Sequence, residues 1–257
     1  MNLSRPAVLR GAAVFAACGS LLALAAPAAM ASSFVGIAGK VTPAKGGTPA
    51  KPVGHTLFTQ FTTGTTDGTQ PPPVRTTVLT YGKEFDINGK AFKSCNKNLL
   101  DVMGPTACPK GSQVGTGSAA GMLGTVNINL PVTAFNGGNG SKLNLYVGGI
   151  VSKTIEGTIS GGKGKPKTIT FLVPNSVINP VGGTFSSLTK FGVTIKGQSK
   201  SGGKTVDYVT TSGCAAKGNS LTAKATYATT GQFPALPQSL QAAVPTQSAA
   251  TTIACTK

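Results

Sequence analysis

Four cysteines beyond position 31 are the residues best suited to covalent chemistry. They are Cys95, Cys108, Cys214 and Cys255. Four cysteines can form two disulfides in three different connectivities, and proximity along the chain favours Cys95 with Cys108 and Cys214 with Cys255. A zinc site would require CxxC-type pairs or several histidines, and the chain contains one histidine. We therefore predict two disulfides, no metal and no cofactor.

Two acidic residues offer the best case for catalysis. Glu84 and Asp86 flank Phe85, and side chains two residues apart on a strand share a face, roughly 6 to 7 Å apart. A pair of carboxylates can serve a glycoside hydrolase. The laminarinase-type β-sandwich glycosidases carry a third acid where this chain has Gly89, and the chain lacks the tryptophan that usually stacks on a sugar. An exported carbohydrate-active enzyme is thus the alternative function, and a solvated edge strand is the structural interpretation.

Two other patterns lack the context that their chemistry needs. His55 is the only histidine, no GxSxG motif accompanies it, and we interpret it as an exposed residue without a catalytic role. Residues 115–120 match a dinucleotide fingerprint in their letters, but the helix and the acid that should follow are missing. The glycines of this run instead predict a strand that bulges or lies close to a neighbouring backbone.

Lysine dominates the charge of the chain. The sequence has 23 lysines and arginines against 6 acids, and Arg75 is the only arginine beyond position 31. Lysine is a hydrated point charge, whereas recognition of bases or phosphates favours the planar arginine fork, so we expect no specific nucleic-acid binding. Two loops form the candidate binding site, with Lys163, Lys165 and Lys167 in one and Lys196, Lys200 and Lys204 in the other.

The partner expected for these loops is an anionic cell-wall polymer or lipid headgroups. Such attraction between solvated charges is weak and weakens further with salt. The structural alternative is that the lysines only keep loops and sheet edges soluble.

The first 31 residues have the parts of a secretory signal peptide. Arg5 and Arg10 give a positive start, residues 11–26 are apolar, and an Ala-Met-Ala cleavage site ends at Ala31. A transmembrane anchor is disfavoured because polar residues and a proline interrupt the apolar run. Acylation of Cys18 is a weaker alternative, since the apolar segment continues past it. Cleavage near Ala31 would release a protein that is secreted or held in the cell envelope.

Alternating polar and apolar residues predict β-strands through the rest of the chain. In residues 125–130, for example, Val, Ile and Leu occupy every second position, the pattern of a strand with one buried face. One helical turn is expected at residues 98–103, before Gly104 and Pro105. Roughly ten short strands without a long helix favour two packed antiparallel sheets.

The predicted fold is therefore all-β, an antiparallel two-sheet β-sandwich with an N-terminal arm rich in proline, glycine and lysine. Its segments are the signal peptide over residues 1–31, the extended arm over 32–53 and the sandwich domain over 54–257. An edge strand is expected at residues 34–37 of the arm. Two smaller sandwiches, divided at residues 137–140, are the alternative.

Several short motifs, some of them containing the cysteines, are distributed along the chain. The most specific is CP-x-x-x-x-VGTG over residues 108–117, and the others are Thr66-Asp67-Gly68 before a run of prolines, Cys95, Phe135-Asn136-Gly137 and Ser212-Gly213-Cys214. Together they resemble secreted actinobacterial proteins of unknown function. The resemblance covers most of the chain after the signal peptide and implies a secreted β-sandwich with no assigned activity. The high lysine content of this chain departs from the group.

The function favoured at this point is non-enzymatic. We expect a secreted protein of the cell envelope or its surroundings that acts structurally or by binding, with lysine-rich loops that adsorb to anionic envelope polymer. A cleft with converging carboxylates would instead favour the enzyme built on Glu84 and Asp86.

Overall fold

The computed structural model of the protein describes residues 32–149 and 152–257. The predicted signal peptide, residues 1–31, lies outside the described residues. Within them the strands are β1 (Ser33–Thr42), β2 (Val53–Thr65), β3 (Val74–Tyr81), β4 (Phe85–Ile87), β5 (Gln113–Leu123), β6 (Val126–Gly137), β7 (Lys142–Val147), β8 (Lys153–Ser160), β9 (Lys167–Leu172), β10 (Ser186–Ile195), β11 (Gln198–Ser201), β12 (Lys204–Asp207), β13 (Val209–Thr211), β14 (Asn219–Tyr227) and β15 (Thr246–Ile253).

The helices are short. They are α1 (Lys97–Met103) and α2 (Asn175–Ile178), with single 3-10 turns at Gly89–Ala91, Pro105–Ala107, Gly138–Gly140 and Gln238–Leu240. In the described ranges the protein has no helix of the length and apolar character needed to cross a membrane.

Thirteen of the strands form one sheet in which neighbours pair antiparallel. Its order is β15-β14-β3-β9-β8-β7-β6-β5-β10-β2-β13-β4, and β1 pairs with β2 outside this path. The hairpin of β11 and β12 forms a separate two-stranded sheet. The predicted all-β, antiparallel class is confirmed. The sheet runs unbroken through the boundary considered at residues 137–140, because β6 and β7 pair on either side of it.

The long sheet folds over so that its two ends meet. The side-chain amide of Gln247 in β15 donates to the carbonyl oxygen of Ser33 in β1 at 2.6 Å. A Cβ atom at Gly39 would lie 2.8 Å from side-chain atoms of Leu221 and Ile253, so this glycine allows the first strand to approach the last two. The apolar faces of the strands are thereby enclosed between layers of one sheet.

The main core lies between these layers. Leu57 and Val193, from β2 and β10, line the same internal cavity of about 30 Å³ as Leu79 and Ile169, from β3 and β9. These strands stand far apart in the sheet order, so their contact shows that the two halves of the sheet face each other. In strands such as β2 and β14 every second side chain is buried in this core, as the alternation of polar and apolar residues in the sequence predicted.

The N-terminal arm belongs to the sheet over about half of its length, through β1 and the first residue of β2. All ten residues of β1 pair with Thr56–Thr65 of β2, whereas the sequence predicted an edge strand of four residues. Polar and apolar residues alternate only weakly in this glycine-rich segment. Its extended conformation is instead stabilised by the hydrogen bonds to β2, which the local sequence does not indicate. Residues 43–52 lead from β1 into β2 without further strand structure.

Helix α1 begins and ends where the sequence indicates. The Asn96 side chain accepts a hydrogen bond from the Leu99 backbone N–H at 2.8 Å, which caps the first turn. Gly104, with a φ of 76°, ends the helix. Leu100 is buried with Cys95 and Phe135, so the helix, which lies within the disulfide-closed loop 95–108, packs that loop against β6.

Candidate anion-binding surface

The direction of the strands sorts the connections into two ends of the fold. Successive antiparallel strands turn back at alternate ends, so residues 43–52, 82–96, 108–112, 161–166, 196–208, 212–218 and 254–257 all lie at one end. We call this the basic end. The connections 66–73, 124–125, 173–185 and 228–245 lie at the other, which we call the opposite end. Helix α1, between residues 96 and 108, packs on β7 and β8.

Positive charge is concentrated at the basic end. Its exposed lysines are Lys45, Lys51, Lys83, Lys90, Lys93, Lys110, Lys163, Lys165, Lys196, Lys200, Lys204, Lys217 and Lys257. The four connections 66–73, 124–125, 173–185 and 228–245 contain no lysine or arginine, and their only acid is Asp67. Positive charge is therefore distributed unequally along the strand direction, with most of the exposed connection lysines at the basic end.

Direct contacts hold the two predicted lysine loops at the same end. Lys167, at the start of β9, lies 3.1 Å from Asp86 of β4, and β4 pairs with β13. The side-chain amide of Asn88 donates to the carbonyl oxygen of Asp207, the last residue of the β11–β12 hairpin, at 2.8 Å. The segment around β4 therefore connects the loop 161–166 with the hairpin.

Five of the six predicted lysines are exposed. Lys163 and Lys165 lie in the β8–β9 loop, Lys196 precedes the hairpin, and Lys200 and Lys204 lie on its two strands. Hairpin strands β11 and β12 stand outside the main sheet, so their lysines project from the body of the protein. The geometry thus brings together charges that are about forty residues apart in sequence.

Lys167 differs from the prediction. Its side chain is 4% exposed, and its ammonium contacts Asp86 and donates to the carbonyl oxygens of Gly162 and Lys165. A buried ammonium with three acceptors is satisfied within the protein. Lys167 therefore fixes the loop that carries Lys163 and Lys165 and is not part of the exposed surface. Lys167 is the first residue of β9 and faces inward, in the same alternating row as Ile169 and Phe171. This alternation could have predicted its burial, but the adjoining loop rich in lysine and glycine made Lys167 look like a loop residue.

Sequence reasoning missed several lysines of the same end, among them Lys90 and Lys93. The segment that carries them is held by the buried side chain of Asn136, whose amide donates to the carbonyl oxygens of Gly89 at 3.0 Å and Lys93 at 3.1 Å. The Asn136 side-chain oxygen accepts from the Tyr208 hydroxyl at 3.2 Å. These lysines are scattered singly along the sequence, and only the alternation of strand directions would have grouped them.

The acids at the basic end leave most of this charge uncompensated. They are Glu84, Asp86 and Asp207, and Asp86 pairs with Lys167. The Asp207 carboxylate accepts from the Gln198 side chain at 2.7 Å within the hairpin. The exposed lysines of the two predicted loops form no salt bridge among the described residues.

The carboxylate pair of the enzyme alternative is divided between two environments. Asp86 lies on β4 in the ion pair with Lys167. Glu84 precedes the strand, and its side chain forms no hydrogen bond or ion pair with another described residue. The assumption that both acids project from one strand was therefore wrong, because β4 begins only at Phe85.

His55 is buried, contrary to its interpretation as an exposed residue. It is 4% exposed, with Nδ1 2.8 Å from the carbonyl oxygen of Pro43 and Nε2 2.7 Å from the hydroxyl of Thr211. Burial lowers the pKa of the imidazole, against the opposing effects of the Pro43 carbonyl and the Asp207 charge. A neutral ring can donate from Nδ1 to Pro43 and accept the Thr211 hydroxyl proton at Nε2. His55 thus fastens the segment 43–52 to β13.

Two disulfides support the basic end. The structure contains Cys95–Cys108 and Cys214–Cys255, with Cα–Cα distances of 5.3 and 5.9 Å, and these are the pairings that proximity favoured. The second bridge ties the chain terminus to the segment before β14, close to Gly46. Two structural disulfides are typical of proteins that fold in an oxidising, extracellular compartment.

Neither comparison with known proteins adds a function. No protein-family model matches the chain, and no curated protein matches it at a significant level. Across the described ranges, no three histidine, cysteine, aspartate or glutamate side chains come together as a metal site would require. The features of the molecule that bear on function are its charge distribution and its cavities.

Proposed function

We propose that the protein is a secreted, non-enzymatic β-sandwich that adsorbs through its basic end to an anionic polymer of the cell envelope. The observation that carries the proposal is the segregation of charge: exposed lysines crowd one end, and the described connections at the other end have none. A field of one sign concentrates a polyanion at that end and orients the protein on it. The residues 1–31, read as a signal peptide, and the two disulfides support the secreted part of the proposal.

The type of cation favours a flexible polymer with repeated charges over a ligand of fixed shape. Lysine makes solvated, adaptable contacts, and the sole arginine beyond position 31, Arg75, is bonded to the carbonyl oxygen of Val173 away from the basic end. Repeated phosphate or carboxylate groups can be neutralised by scattered ammonium groups without precise geometry.

A polymer is also favoured over a lipid bilayer. Proteins that lie on membranes combine basic residues with apolar side chains that enter the acyl boundary. The exposed large hydrophobic residues lie on α1, as Val102 and Met103 do, on strands or at the opposite end, and none lies in the loop 161–166 or in the hairpin segment 196–208. The lysine loops therefore have the basic residues of a membrane-binding surface but lack the exposed apolar side chains that would insert into the bilayer.

The test compares two triple variants of equal charge change. Lys196, Lys200 and Lys204 are changed to Gln in one, and the exposed strand lysines Lys40, Lys190 and Lys224 are changed to Gln in the other. Binding to poly(glycerol phosphate) and to phosphatidylglycerol vesicles is measured from low to high salt. At about 1 kcal/mol per lysine near an anionic surface, the hairpin variant should lose roughly a hundredfold in affinity for the polymer.

The strand variant should lose much less, and polymer binding by the unchanged protein should weaken steeply with salt. Equal losses in the two variants would assign the attraction to net charge and would overturn the role of the basic end. Binding to the vesicles but not to the polymer would also contradict the proposal.

A further inference from the structure

A second cavity lies toward the opposite end and is partly open to the surface. Its volume is about 100 Å³, and its lining comes from β3, β5, β6, β7, β8, β10 and α2. Its side chains are predominantly aliphatic and include Ile128, Leu130, Val147, Ile155, Ile178 and Leu188. Empty apolar space in a protein interior costs stability, so a cavity of this size calls for a physical cause.

The cause is the row of small residues on β5. Gly117, Ala119 and Gly121 occupy alternate positions of that strand, and Ala119 and Gly121 line the cavity. A Cβ atom at Gly117 would lie 2.0 Å from the carbonyl oxygen of Gly192, and one at Gly121 would lie 2.4 Å from that of Ser187. Backbone approach between β5 and β10 thus requires these glycines, and the strand cannot fill the interior beside it.

The polar groups of the lining are mostly satisfied by the protein. The Ser186 hydroxyl donates to the carbonyl oxygen of Val177, and the Ser187 hydroxyl accepts from the side-chain amide of Gln70 at 3.0 Å. Thr77 adds a third hydroxyl. No charged side chain lines the cavity, so a charged or multiply hydrogen-bonding ligand would lose its hydration without replacement.

The cavity reaches the surface at the uncharged side of the molecule. Val177 in α2 and Val173 just before it are only partly buried, as are Ile128 on β6 and Ile155 on β8. The adjoining connection 173–185 has no charged residue and carries the exposed side chain of Val181. An apolar molecule can therefore approach without crossing the lysine-rich surface.

We propose that this cavity binds a short, uncharged alkyl chain. Apolar cavities of about 150 Å³ stay dry and take up benzene or xenon, so a volume of 100 Å³ matches a chain of about four or five carbon atoms. The chain is either a free small hydrocarbon or the tail of an amphiphile whose head stays outside. This site is separate from the basic end and does not depend on the function proposed for it.

The test follows the methyl NMR signals of the lining Ile, Leu and Val residues while n-pentane or pentanoate is added to the whole protein. The filling variant is Ala119→Leu, and its control is Ala250→Leu on the exposed face of β15. We expect pentane to shift the lining methyls in the unchanged protein and in the control, with affinity at least tenfold lower in Ala119→Leu. Equal binding of pentanoate would identify the tail of an amphiphile as the ligand type, and pentane binding alone would identify a free hydrocarbon.

A variant that enlarges the cavity provides a second measurement, should leucine at position 119 prevent folding. Ile155→Ala removes a lining side chain and should bind n-heptane at least tenfold more tightly than the unchanged protein does. Absence of methyl shifts with pentane, or shifts that persist undiminished in a folded Ala119→Leu protein, would overturn the proposal. Heptane affinity unchanged by Ile155→Ala would do the same.

Discussion

The ammonium of Lys167 lies 3.1 Å from the carboxylate of Asp86 and joins the start of β9 to β4. The same ammonium donates to the carbonyl oxygens of Gly162 at 2.6 Å and Lys165 at 3.3 Å, so it also closes the loop between β8 and β9. One buried lysine therefore positions two exposed ones. Its partners offset the cost of removing a charge from water.

Removal of Asp86 and removal of Lys167 should lower the unfolding free energy by different amounts. Asp86→Ala leaves the buried ammonium without a countercharge and should cost about 2 to 4 kcal/mol of unfolding free energy. Lys167→Met leaves a carboxylate whose side chain is 29% exposed and can be hydrated, so it should cost less. Urea unfolding of the two variants measures the difference. A larger loss for Lys167→Met would show that the ion pair is not what holds β9 to β4.

Local pattern and composition were enough to predict the all-β class and the crosslinks, although they indicated roughly ten strands where the described residues form fifteen. Alternation in β6 and β14 reports burial directly, since one face of each strand meets the core. Proximity gave both disulfide pairings, because each joins segments that are consecutive in the fold. The single continuous sheet could not be predicted, because pairings such as β3 with β9 and β14 depend on contacts distant in sequence.

The site was predicted only in part for the same reason. Clustered lysines such as Lys163 and Lys165 are visible in sequence, whereas Lys90 and Lys217 join them only through the alternation of strand directions. The burial of His55 and Lys167 follows from their partners, Pro43, Thr211 and Asp86. None of those contacts is local in the sequence.

The two disulfides should differ in their contribution to stability. The bridges close loops with sequence separations of 13 and 41 residues. In the chain-entropy account these correspond to about 3 and about 4 kcal/mol. We therefore expect Cys214→Ser/Cys255→Ser to lower the unfolding free energy more than Cys95→Ser/Cys108→Ser, as measured by urea unfolding.

The Cys95–Cys108 bridge also holds helix α1 in place. Cys95 is fully buried against Leu100 and Phe135, so its loss should loosen α1 as well as the loop. Hydrogen exchange of the α1 amides would detect this loosening, with the Cys214→Ser/Cys255→Ser protein as the control. If the unfolding midpoint were untouched by Cys95→Ser/Cys108→Ser, the structural role of the 95–108 loop would have to be given up.

Glycines of the fold should fall into two classes on substitution. At Gly117 an added Cβ would lie 2.0 Å from the carbonyl oxygen of Gly192, so Gly117→Ala must push β5 and β10 apart and should cost about 1 to 3 kcal/mol. At Gly162 nothing lies within 4 Å of an added Cβ and φ is not positive, so Gly162→Ala should be neutral or slightly stabilising. Thermal unfolding of both variants checks the contrast. A tolerated Gly117→Ala would mean that β5 and β10 are not held at this separation.

His55 should make the stability of the protein depend on pH in a narrow window. Its folded-state pKa is lowered from 6.5, chiefly by burial, so the unfolded chain binds a proton at a pH where the folded protein does not. The unfolding free energy is thus at its full value above about pH 6.5 and falls as the pH drops below it, by at most about 1.4 kcal/mol per pH unit. The fall ends once the pH reaches the lowered pKa of the folded state.

The window can be assigned to one residue because His55 is the only histidine of the chain. Carboxylates such as Asp67 and Asp101, whose pKa values are lowered from 3.8, lose their contribution only at more acidic pH. Urea unfolding from about pH 5 to about pH 8 should show the slope in the unchanged protein and none in His55→Gln, which lacks the titrating group. The variant should be less stable at pH 8, because the contacts with Pro43 and Thr211 are altered. An identical slope in His55→Gln would trace the pH dependence to another group and would contradict the buried, neutral state of this imidazole.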